Sequence, residues 1–160
     1  MSIEIFVLSD RKLASMAEWQ GAIDQEGFDL QLGRSRPIEA LSGHLPAQRA
    51  GQHAGFECDH FDPAELLDAA GLADVDFGHR WTQMLAFRFG GDFLAAWGAF
   101  AAAAAYARAT GGVVFDDQTG EVLTPDKAAE IARDIERDMP RLEEIVGEVV
   151  RQVVRDMLKE

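Results

Sequence analysis

Residues 80–115 read RWTQMLAFRFGGDFLAAWGAFAAAAAYARATGGVVF, and two hydrophobic periods follow one another inside this stretch. Trp81, Leu85, Phe87 and Phe89 share one parity, with Thr82 and Arg88 on the other, which predicts a strand over Arg80–Phe89 with a heavy aromatic inner face. Gly90-Gly91 turns the chain, and Asp92 is placed to cap a helix that runs to about Ala109. That helix is apolar nearly all round, so neighbours must enclose it, and its alanines allow close approach to a sheet. Thr110-Gly111-Gly112 ends it and Val113–Phe115 resumes strand. A strand, an enclosed helix and a second strand in succession predict an α+β domain built round this unit.

Working back from it, Ser2–Leu8 places Phe6 and Leu8 opposite Ile3, Ile5 and Val7, as in a central strand covered on both sides. Leu13, Met16, Ala17 and Ile23 then recur at helical spacing, with Ser9 or Asp10 as the expected cap and Gly27 as the stop. Phe28–Leu32 alternates as a strand with one wet face. From Gly33 to Gln52 regularity fails, and a long loop is expected, with at most one helical turn at Ile38–Leu41. Ala54–Asp59 reads as a third strand, and Asp62-Pro63 opens a short helix ending at Gly71.

Working forward, Asp116-Asp117-Gln118-Thr119-Gly120 is a turn and Glu121–Leu123 its hairpin partner. Thr124 caps a last helix with Pro125 at its first position, and a stripe of apolar residues survives across Pro140, where the helix should kink or split. Residues 141–158 form its amphipathic end. The expected architecture over residues 1–160 is one α+β domain: a mostly antiparallel sheet of five or six strands, helices on one face, in the ferredoxin-like split β-α-β manner.

The 160 residues carry 15 Lys and Arg against 28 Asp and Glu, a formal charge of −13 that repels phosphate backbones and anionic headgroups. Nucleic acid and membrane partners are therefore not expected. A single cysteine, Cys58, offers no disulfide framework, and the N-terminus lacks a signal-peptide pattern, so a cytoplasmic setting is expected. The longest apolar run, Phe93–Ala107, falls short of the roughly 20 residues that span a bilayer.

No nucleophile elbow, phosphate loop or dinucleotide fingerprint occurs. His44, His53, Cys58, His60 and His79 lack zinc spacing, and the 116–120 turn lacks the ligand pattern of a calcium loop, so no cofactor or metal is expected. Two groups remain as candidate ligand-binding residues. Glu57, Asp59 and His60 lie on one strand and Arg88 on another, placed either for an ion-pair lattice or for acid–base work. The loop 33–53 gathers Arg34, Arg36 and Arg49 with only Glu39 as an acid, a local reversal of charge suited to an anionic group.

The segments Gly55-Phe-Glu-Cys-Asp-His60 and Gly111-Gly-Val-Val-Phe-Asp116 resemble those of small bacterial proteins, some of which neutralise toxins as immunity proteins. An acidic, compact chain free of catalytic motifs is expected to be a non-enzymatic protein-interaction domain that meets a basic protein partner through an acidic surface, and the resemblance implies an immunity-type binder. The alternative is a small-ligand-binding domain or enzyme using Glu57, Asp59, His60 and Arg88 beside the basic loop. The valine-rich stripe of residues 141–158 packs on the domain in a monomer, or makes a homodimer interface if it projects.

Overall fold

A computed structural model describes residues 2–159, apart from the side chains of Leu142 and Glu143. Strand β1 (Ile3–Ser9) lies between β7 (Gln83–Phe89) and β8 (Val113–Asp116) in a six-stranded sheet of order β3-β6-β7-β1-β8-β9, with every neighbouring pair antiparallel. Strands β3 (His44–Leu45), β6 (Phe56–Phe61) and β9 (Glu121–Leu123) complete it.

Period-two alternation sorts β1 between two cores. Ile5 and Val7 join the larger one, beneath α1 (Met16–Gln25), α3 (Phe93–Thr110) and α4 (Pro125–Leu158). Phe6 and Leu8 point the other way, into a smaller cluster with Met84, Phe115, Leu66 and Phe77. The second face is thus covered by α2 (Ala64–Leu67), the 3₁₀ turn Ala70–Leu72 and the chain that follows, whereas helices on one face only were expected. The reason lies in the aromatic and aliphatic residues of 66–81: Leu66, Leu72, Val75, Phe77 and Trp81 supply an apolar cover without helical periodicity.

Helix α3 occupies the middle of the larger core. Asp92 caps it through the Leu94 amide at 3.0 Å, and Gly111 ends it at φ 72, the left-handed conformation that glycine adopts without strain. Ala101 to Ala105 are all buried, so the helix touches neighbours on every side. Trp19 of α1 lies against it, fully buried, its indole nitrogen donating to the Ala102 carbonyl at 3.0 Å. Arg108, near the end of α3, pairs with Glu26 and Asp126, and Arg133 of α4 reaches Glu26 at 3.5 Å, which ties α1, α3 and α4 together at that end.

Several boundaries differ from the sequence expectation, each for a local reason. Ser15, not Ser9 or Asp10, caps α1: Ser9 donates to the Arg11 carbonyl, and Asp10 accepts from Thr82 and contacts His79. Phe28 does not begin a strand, because its amide closes back onto the Ile23 carbonyl as part of the helix stop at Gly27, leaving β2 as Gln31–Leu32. The stretch 33–52 is not a long loop. It holds β3, β4 (Ala47–Arg49) and the start of β5 (Gln52–His53), and β2-β4-β5 form a second, three-stranded sheet. Ala50 and Gly51, both at positive φ, make the two-residue turn between β4 and β5. Strands of two or three residues are too short to display a period, so their turn residues dominate the pattern.

Pro140 does not split the last helix. It runs 34 residues as one bent helix, capped by Thr124 on the Lys127 amide. Proline there withholds one backbone donor, and the interruption falls where the helix leaves the body. Among the described side chains Met139 is the last that is buried; of the described residues from Pro140 to Lys159, all but Gly147 are exposed.

Candidate functional site

The residues nominated by sequence fall in separate places. On the outer strand face Arg88 lies opposite both Glu4 and Glu57 in the sheet register, with its guanidinium 3.6 Å from the first carboxylate and 3.7 Å from the second. This is the ion-pair lattice, half exposed, that a solvated sheet face carries. Asp59 pairs with Ala86 instead, and its carboxylate accepts from the Gly43 amide at 2.8 Å and from the Ser42 hydroxyl. Arg36 donates to the Ser42 and His44 carbonyls, and the His60 ring contacts the Ile38 carbonyl at 2.8 Å. Asp59 and His60 therefore fasten residues 38–43 to β6, while Arg36 holds the 36–44 segment onto itself. Arg49 lies apart, over the Trp97 ring at 5.3 Å and 3.1 Å from Glu136 of α4. Arg34 lines a shallow depression with Arg36, Ser15 and Pro37.

One cleft that includes a nominated residue, His60, has a volume of about 340 Å³ and lies between the chain before α1, the 3₁₀ turn at Ile38, the end of β6 and the start of β7. His60, Lys12, Glu39, Asp62 and Gln83 bring polar groups to it, while Leu13, Phe61 and Met84 supply apolar wall. Tyr106 closes its floor, its hydroxyl accepting from the Leu13 amide at 3.3 Å, and burial pushes the phenol above its ordinary range. Lys12, Gln83 and Tyr106 come from three distant elements, and no sequence spacing links them. Cys58 is buried beside Phe56 and Phe87, and burial drives its thiol well above the ordinary value, which favours the protonated form. A thiol reagent should leave the native chain unlabelled and modify Cys58 only in denaturant; rapid native labelling in a mass-spectrometric time course would contradict this packing. Among the described residues, no group of three or more His, Cys, Asp and Glu is placed to hold a metal ion.

The second feature is the end of α4. Ile145, Val149, Val153 and Met157 form one row at i, i+4 spacing, and Val146, Val150, Val154 and Leu158 form the adjacent row. All eight are exposed, from 48% for Val154 to 81% for Leu158. Charged partners on the same helix, such as Glu148 with Arg151 at 2.7 Å, stay off the stripe.

Comparison with family models, curated proteins and solved structures finds no match. The stripe was anticipated in outline at residues 141–158, but its width was not. Ile145 extends one row and Val150, Val154 and Leu158 extend the other, which shows in the sequence once the valines are read as adjacent pairs, 149–150 and 153–154. Among the described residues no helix is long and apolar enough to cross a membrane.

Proposed function

We propose that the protein is a non-enzymatic protein-interaction domain in which a packed body carries a projecting docking helix. The observation that carries this reading is the uncovered double row of aliphatic side chains on α4 beyond Pro140. Eight side chains of that exposure amount to an apolar patch on the order of several hundred Å², the size that marks an interaction site on a water-exposed surface. The Glu57, Asp59, His60 and Arg88 group, in contrast, is occupied in lattice and loop-fastening contacts and does not converge on one cleft. The four central strands, in the order β6-β7-β1-β8 with α1 following β1 and α3 joining β7 to β8, support a ferredoxin-like reading of the body. A single buried thiol suits the cytoplasm.

The test uses the tagged full chain as bait in lysate that also contains untagged chain, beside a variant with Val149→Lys and Val153→Lys. A stoichiometric protein retained by the wild type and lost with the variant is expected. Equal retention by both, or none by either, would sink the docking role.

A basic protein partner is a second reading, favoured by one specific observation. Phe61 is 44% exposed, an aromatic anchor left open at the edge of β6. Glu4 and Glu65 line a depression with it, and residues 62–76 carry Asp62, Glu65, Asp68, Asp74 and Asp76 without a cation. An exposed ring amid carboxylates suits a basic surface of the kind a toxin-neutralising protein meets. Such a partner should be released by high salt and lost with Phe61→Ala; salt-insensitive capture that survives Phe61→Ala would eliminate it.

A further inference from the structure

We infer that the occupant of the α4 stripe is the same stripe of a second copy, packed antiparallel about a two-fold axis near Val149 and Val150. This inference rests on the docking-helix reading above and names its partner.

Charge argues first for a like partner. Residues 141–160 carry Arg141, Arg151, Arg155 and Lys159 against Glu143, Glu144, Glu148, Asp156 and Glu160, a net charge of −1, which leaves −12 of the −13 on residues 1–140. The repulsion that opposes self-association therefore resides in the body, while the arm is close to neutral. Charge also argues for the direction. Residues 141–150 hold Arg141 against three glutamates, a net −2, whereas residues 151–160 hold three cations against Asp156 and Glu160, a net +1. Antiparallel pairing sets the acidic half of each arm against the basic half of the other, and parallel pairing sets like against like. The two bodies then lie at opposite ends of the pair, which keeps their like charges apart.

Area argues for sufficiency. A stable interface needs roughly 1,000 Å² in total, and two facing patches of several hundred Å² each approach that figure. Geometry permits it, because two adjacent i, i+4 rows enclose a groove that receives a row of the opposing helix. A two-fold axis makes this contact self-complementary, so that one patch serves both copies.

The experiment is mass in solution followed by site-directed cross-linking of the purified full chain. A dimer is expected over a concentration series, with Val149→Lys plus Val153→Lys monomeric and its circular dichroism spectrum unchanged. Single-cysteine variants then report direction, since buried Cys58 stays silent. Val149→Cys and Val150→Cys should link to themselves under mild oxidation, Ile145→Cys and Val154→Cys should not, and a mixture of those last two should form the mixed dimer. A monomer at every concentration would overturn the second-copy inference, while the lysate experiment decides separately whether the stripe docks anything. Self-linkage of both Ile145→Cys and Val154→Cys would show parallel arms and overturn the antiparallel assignment.

Discussion

Trp19→Ala loses about 3–5 kcal/mol of folding stability, the range for truncating a large buried aromatic side chain. Trp19 is fully buried and meets Phe87 edge-on at 6.0 Å and Tyr106 at 5.4 Å, so its removal opens a cavity between α1, the sheet and α3. The walls are the backbone of α3 and the central strand β7, and neither can move in without disturbing the rest of the larger core. Urea unfolding followed by circular dichroism measures the loss, and Trp19→Phe, which keeps a ring but gives up the bond to the Ala102 carbonyl, should fall between. A loss below about 1 kcal/mol for the alanine variant would mean that the site collapses to fill the space, against the rigid packing described.

Gly98→Ala is expected to destabilise the fold by about 1–3 kcal/mol, the usual cost of overpacking, although alanine is the better helix former. Gly98 lies inside α3, and a Cβ there would come within 2.4 Å of the Ala54 carbonyl oxygen, which belongs to backbone and cannot swing aside. Helix propensity favours alanine by about 1 kcal/mol, and the clash outweighs it. Gly21 of α1 provides the matched control: a Cβ there meets nothing within 4 Å, so Gly21→Ala should raise stability by about 0.5–1 kcal/mol. Opposite signs for the two variants in the same urea assay are the expected result; a stabilising Gly98→Ala would mean that α3 stands farther from the Ala54 backbone.

Long periodic elements were legible in the sequence because their burial is one-sided or complete over many residues. The strand before Gly90, the alanine helix with its Asp92 cap and the Thr124-Pro125 start of α4 all carry their own signals. The three-stranded sheet was not legible, since β2, β4 and β5 are two or three residues long and are held by register with one another, as in the pairing of Gln31 with Gln48. The cover of the second sheet face was hidden for a related reason: Leu72, Val75 and Phe77 pack there from a 3₁₀ turn and irregular chain, which have no period to detect. At the level of sites, ligand-type residues were easy to nominate, but their partners were not. Asp59 turns from its strand to the 42–43 backbone, and Arg49 crosses to Glu136, contacts that no local pattern encodes. Only the stripe of α4 could be nominated from its own spacing, because a helix displays its faces without help from the rest of the fold.

The projection of α4 also separates two properties that most small domains must balance on one surface. From Met139 to Leu158 the helix rises about 28 Å at 1.5 Å per residue. The screening length in physiological salt is about 8 Å, so the far end of the arm stands more than three such lengths from the bend. Within one copy the body's charge is thus electrically remote from its own tip, and substitutions that retune one leave the other's intramolecular energetics nearly untouched.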